Sequence, residues 1–295
     1  MDQKDTTSFQ TVVNALLDND QEFPARYLPY FSDMDPASME SFLQAWPRVK
    51  PARKLELLER LESLADKDTL VAFDDLGRAL LLDPDASVRT RAIRLLAECE
   101  DPKLVRSYIQ LLNSDPDAST RAEAATALGQ FVMRGELDEI PPSAHREAED
   151  ALLKSLNDDK NIEVRRRSLE SLGFSSRPEL PTLIESAYHR EDQEWVASAL
   201  FAMGRSADDR WDDQVANMLL SDEPAVQLAA VQAAGELGLA SAAPILLKLL
   251  EDEEDAGQIE AAIWSLSQIG GEDARLYIQS VIDLAEDEEQ IEFLE

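Results

Sequence analysis

Asp83-Pro84-Asp85-Ala86-Ser87-Val88-Arg89 and, 32 residues later, Asp115-Pro116-Asp117-Ala118-Ser119-Thr120-Arg121 are two copies of one phrase. Each opens on an acidic loop in which Asp or Ser can cap a helix and Pro suits its first turn. Small and apolar residues then follow at helical spacing, Ala92 in the first copy and Ala124, Leu128 and Gly129 in the second. A third copy, Asn161-Ile162-Glu163-Val164-Arg165, leads to Leu172 and Gly173. Weaker copies put Val196 before Met203-Gly204, Val226-Gln227 before Ala234-Gly235, and Gln258-Ile259 before Leu266. Positions 89, 121, 165, 196, 227 and 259 are then equivalent, at steps of 32, 44, 31, 31 and 32 residues. A degenerate earlier copy puts Lys54 in the same slot, followed by Leu57, Leu58 and Leu61.

A second apolar helix follows each phrase, as in Leu104 to Leu112, Ala151 to Leu156 and Ala243 to Leu250, so the unit is a helical hairpin. No stretch sustains the apolar/polar alternation of a strand, and glycine is scarce, with 10 in 295 residues. One hairpin of about 31 residues cannot hide both of its apolar faces, so neighbours must stack into a continuous core. The expected fold is all-α, a right-handed α-solenoid of helical hairpins.

The phrase, with its Asp, Val-Arg, Ala and Leu-Gly, resembles the HEAT-like repeats also found in phycobilisome lyases, over about residues 48–295. The resemblance implies a helical scaffold of about seven repeats, 48–295, preceded by a helical N-terminal cap, 1–47. Glu286 to Glu292 echoes Glu254 to Glu260 one 32-residue step on, which reads as a repeat begun and left incomplete at Glu295. That ending suits a half-repeat cap or a chain that continues further. Val196, Gln227 and Ile259 replace the Arg of the phrase, so no Asp-Arg ladder is expected to run the whole length.

Residues 1–47 carry no copy of the phrase, and Pro24, Pro29, Pro36 and Pro47 break them into short helices. Their aromatics, Phe9, Phe23, Tyr27, Tyr30, Phe31, Phe42 and Trp46, are expected to cover the first hairpin. The 44-residue step holds about 12 extra residues near 133–146, with Gly135, Pro141, Pro142 and His145, and reads as a longer loop between paired helices.

Sixty acids against 28 bases give a formal charge of −32, which argues against affinity for nucleic acid or anionic lipid. HEAT-like DNA glycosylases grip DNA with a basic face that this composition does not supply. Cys99 has no partner for a disulfide and is expected as a small buried hydrophobe. Met1 to Gln10 lacks the pattern of a secretory signal, and no run approaches the roughly 20 apolar residues of a membrane span, so a cytoplasmic location is expected.

The two histidines, His145 and His189, fall in different repeats and are expected at the surface. Deoxyhypusine hydroxylase, a HEAT-repeat metalloenzyme, carries His-Glu ligand pairs, whereas the dipeptides here are His145-Arg146 and His189-Arg190. There is no Gly-rich phosphate loop, zinc-type Cys pairing or Gly-x-Ser-x-Gly elbow, and Gly270-Gly271 sits at a helix end. The acidic run Glu251 to Asp255 lacks the spacing of a calcium loop and reads as solvated. No catalytic residue, metal ligand or cofactor is therefore expected.

Charge is unevenly shared along the chain, with −12 over residues 1–150, −2 over 151–211 and −18 over 212–295. The nearly neutral middle carries Arg177, Arg205, Arg210 and Trp211, in or near turns. These are the candidate partner-binding residues, because Arg and Trp combine contact area with directional polar atoms. Arg165 is expected to pair with its own repeat's Asp, and Trp195 and Trp264 to fill the core. The resulting expectation is a monomeric, non-enzymatic scaffold for a protein partner, one that is basic if the acidic repeats attract it. The alternative, resting on the resemblance, is a lyase-like protein that handles a phycobilin chromophore.

Overall fold

The computed structural model describes residues 8–252 and 255–284. Among them run sixteen α-helices and no strand. They are α1 (Phe9–Leu17), α2 (Pro36–Ala45), α3 (Pro51–Lys67), α4 (Asp74–Leu80), α5 (Ala86–Arg94), α6 (Leu104–Ser114), α7 (Ala118–Glu136) and α8 (Pro142–Asp158). They continue as α9 (Ile162–Leu172), α10 (Leu180–Tyr188), α11 (Gln193–Arg205), α12 (Asp212–Met218), α13 (Pro224–Glu236), α14 (Ala243–Asp252), α15 (Ala256–Ile269) and α16 (Glu272–Leu284). The expected all-α hairpin architecture is what the chain adopts. The echo of the phrase at Glu286 to Glu292 lies outside the described residues.

The Asp and Asn residues that open the phrase act as helix caps. Asp85 accepts from Ser87 N, Asn161 from Val164 N, Asp192 from Glu194 N and Asp255 from Gln258 N, each satisfying an amide that the first helical turn leaves free. Two residues earlier, Asp83, Asp115 and Asp159 accept the amides of Asp85, Asp117 and Asn161 and so fix the turn that precedes the helix.

The chain divides into two compact units, Met1–Ala127 and Leu128–Glu295, with the boundary inside α7. In the first unit Phe23, Phe31, Phe42 and Trp46 are buried and stack edge-on or tilted, with centroids 4.9–6.1 Å apart. These rings cover the start of the repeats, and α3 ties them down. Arg60 donates to the carbonyl of Phe23 at 2.6 Å, and Arg53 to that of Asp18 at 3.2 Å. Trp46 Nε1 donates to Asp83 at 2.6 Å, and Lys54 sits over the Trp46 ring, 3.6 Å from the same carboxylate. Lys54 thus reaches the Asp of the next copy, as Arg89 does more tightly. The Arg89 guanidinium makes two 2.7 Å bonds to Asp115, where both side chains are buried.

That ladder is absent at Arg165. The slot that holds Asp83, Asp115 and Asp159 in the three clearest copies is Arg190 in the following one, so Arg165 Nε donates to the carbonyl of Leu156 at 2.7 Å, and both arginines stack on the buried Trp195 ring. The expected pairing of Arg165 with an Asp is corrected to a carbonyl and an aromatic face.

In the second unit α9, α11, α13 and α15 pack in succession, and small residues set how closely. A Cβ added to Gly173, Gly204 or Gly235 would lie 2.8 Å from the Cα of Ala202, Ala233 or Ser265 respectively, each in the following helix. Those three residues are themselves buried. Gly173, Gly204 and Gly235, at the ends of their phrases, are therefore points of backbone-to-backbone contact between adjacent helices.

The extra residues near 133–146 do not form a long loop. They lengthen α7 to 19 residues and α8 to 17, leaving only 137–141 between them. The helical pattern continues through Arg134-Gly135-Glu136, and Pro142 starts the next helix at a position where proline is tolerated.

Candidate functional site

The four residues singled out in the sequence do not form one exposed patch. Trp211 is only 4% exposed and belongs to the core, which corrects its reading as a surface anchor. Arg205 stacks on Phe174 and donates to the carbonyl of Glu170 at 3.0 Å. Arg210 is half exposed and pairs with Asp208 at 2.6 Å. Arg177 is held by Glu149 at 3.1 Å and by Asp150 at 2.5 Å. Burial draws its pKa down, but the hydrogen bonds and charges of Asp150 and Glu149 outweigh that and hold it above the usual arginine value. Trp264, expected in the core, is 38% exposed. His189 is exposed as expected, and Cys99 is buried.

Arg177 leads to a cluster that the sequence did not reveal. His145, expected at the surface, is only partly exposed. Its side chain is 17% exposed and lies against Gly135, where an added Cβ would fall 2.1 Å from the imidazole Cγ. His145 and Glu149 are one helical turn apart on α8, and Glu136 is the last residue of α7. The imidazole Nε2 faces Glu136 Oε1 at 3.6 Å and Glu149 Oε1 at 3.7 Å.

The segment between α9 and α10 closes the cluster. Ser175 donates its hydroxyl to Glu149 Oε1, and the Ser176 amide donates to Glu136 Oε1 at 2.7 Å. The Arg177 amide reaches Ser175 Oγ at 3.2 Å, which orients that hydroxyl toward Glu149. Glu149 is buried, at 4% exposure. The only signal available in the sequence was the i, i+4 pair His145/Glu149. Reading 133–146 as a loop concealed it, and no local spacing connects it with Ser175-Ser176-Arg177.

Residues 73–142 and 212–292, together just over half of the chain, match the pattern of HEAT repeats. The chain belongs to the HEAT repeat family. Among solved structures it is similar to the CpcE and CpcF complex of phycocyanin lyase from Nostoc sp. PCC7120, with a TM-score of 0.57, 13% identity and 94% of each chain covered. It is also similar to YibA of Escherichia coli (TM-score 0.40, 14% identity, 100% and 97% covered). Human deoxyhypusine hydroxylase gives a TM-score of 0.37 at 18% identity, with 88% and 95% covered. Comparison with curated protein sequences gives no match. At 13% identity the likeness to the CpcE and CpcF complex describes the fold alone. Among the described residues no helix is long and apolar enough to cross a membrane.

Proposed function

We propose that this chain is a non-catalytic scaffold that binds a basic protein partner through its C-terminal repeats. The supporting observation is the charge of residues 212–295, where 20 acids face only two bases, Lys248 and Arg275. Asp213, Asp222, Glu223, Glu272 and Asp273 are exposed on α12, α13 and α16 or their approaches. Leu220, Trp264 and Leu276, at 69%, 38% and 58% exposure, provide apolar contact on the same repeats. Acidic groups around exposed apolar side chains favour a partner that brings Lys and Arg beside its own apolar residues. The attraction raises the association rate and is screened by salt. Of the four candidates named from sequence, Arg210 is the one whose side chain is more than half exposed.

The test is capture from native lysate at low and high salt, by the parent and by a variant with Asp213, Asp222, Glu223 and Glu272 all replaced by Lys. A defined basic protein retained by the parent at low salt, and lost both at high salt and in the variant, supports the scaffold. The same protein retained by the folded variant at either salt overturns the acidic-surface reading. A coloured eluate with visible absorption favours the lyase-like alternative.

A further inference from the structure

We infer that Glu136, His145 and Glu149 form a binding site for one first-row divalent metal ion of the zinc class. One ligand atom from each residue lies within 4.8 Å of the other two. The separations of 3.6 and 3.7 Å between His145 Nε2 and the two carboxylate oxygens are long for hydrogen bonds. They are close to what a cation requires, since ligands about 2.0–2.2 Å from a tetrahedral ion lie about 3.3–3.6 Å from one another.

A second observation comes from the imidazole itself. His145 Nε2 is buried and has no hydrogen-bond partner, although it points at two carboxylates. A cation between the three atoms satisfies that nitrogen and both oxygens together. One imidazole and two carboxylates are a donor set that borderline divalent ions accept.

The surroundings orient the donors before any ion arrives. Gly135 gives the imidazole the space where a side chain would stand. The Ser175 hydroxyl, the Ser176 amide and Arg177 fix the two carboxylates from outside the set. Arg177 is shared among Glu149, Asp150 and Glu179, so carboxylates outnumber the guanidinium beside the cluster and a divalent charge offsets the excess. The partial exposure of Glu136 and His145, 26% and 17% of their side chains, leaves a route for the ion and for a water in a remaining coordination position. The set is made by the lengthening of α7 and α8, which no other repeat among the described residues shares.

The experiment is calorimetric titration of zinc chloride into chelator-treated full-length protein, with cobalt(II) absorption reporting coordination. The parent is expected to bind one zinc and to develop visible cobalt bands. His145→Asn and Glu136→Gln, each checked for folding by circular dichroism, are expected to weaken zinc by at least about 100-fold, whereas His189→Asn leaves it unchanged. Ser175→Ala, which removes an orienting hydroxyl only, is expected to weaken it by about 10–100-fold. Absence of one-to-one zinc binding in the folded parent overturns the site. So does binding that persists in both ligand variants.

Discussion

Replacing Gly204 by Ala tests whether glycine sets the spacing of adjacent helices in the second unit. The added Cβ would lie 2.8 Å from Ala233 Cα and 3.2 Å from Ala233 Cβ. Ordinary carbon contacts fall at about 3.5–4.0 Å, so the overlap with backbone is about 0.7 Å or more. Glu236 Oε2, also nearby, can rotate away, but the Cα of α13 moves only with its helix. Overpacking costs about 1–3 kcal/mol, and a backbone obstacle belongs in the upper part of that range. Exchanging Gly for Ala inside a helix returns about 0.8–1 kcal/mol. The net expectation is a loss of about 1–2 kcal/mol, which lowers the melting temperature by about 2–8 °C for a unit of this size.

Thermal unfolding followed by circular dichroism reads this shift, with Gly257→Ala as the control. Position 257 is also helical, but its added Cβ would meet only Asp255 Oδ1, at 3.3 Å, so that variant is expected to be unchanged or slightly more stable. Trimming Ala233 to Gly is not expected to rescue Gly204→Ala, because the 2.8 Å approach is to the Ala233 Cα, which that change leaves in place. If Gly204→Ala melts at or above the parent temperature, the close-contact argument is refuted.

Asp115→Ala leaves Arg89 buried without its carboxylate and is expected to cost about 3–5 kcal/mol in urea unfolding, whereas Asp115→Asn, which can retain the turn to Asp117, is expected to cost less. Burial pushes the Cys99 thiol up, so it is expected to react with a disulfide reagent at under about one-tenth the rate of a free thiol until the protein is unfolded. Burial also raises Glu62 above its ordinary 4.5, against the charges of Arg91 and Arg94. The folded state then binds that proton more tightly than the unfolded state, so its contribution to stability falls as pH rises upward from 4.5. Glu62→Gln is expected to gain stability relative to the parent between pH 4 and pH 7 in urea titrations, and a parent advantage that grows with pH would contradict this.

Much of the fold was legible because its signals are local. A capping Asp or Asn, a branched residue three positions on and a Leu-Gly ending all report on one helix, and their recurrence named the repeat. Asp85 caps as the phrase implied, and Asn161, Asp192 and Asp255 do the same in their copies, Asp255 from within a run that reads as merely solvated. The interruption of the ladder was legible only in part. Val196, Gln227 and Ile259 declared themselves, but Arg165 kept the expected residue and lost its partner, because Arg190 occupies the facing slot of the next copy.

The binding candidates were less legible, since exposure is decided by neighbours. Trp211, singled out for surface contact, is buried, whereas Trp264, expected in the core, is 38% exposed. Arg177 was singled out for surface contact and is instead the clamp on Glu149.

The sequence by itself determined the helical hairpins, their caps, the family and the acidity of the final repeats, all of which follow from residue type and periodicity along the chain. Only the tertiary structure decided which arginines are occupied, how closely α9 to α15 approach, and that Glu136, His145 and Glu149 meet. The physical reason is that these depend on which side chains adjacent helices bring opposite one another, and Ser176 reaches Glu136 across 40 residues through packing that no local pattern encodes.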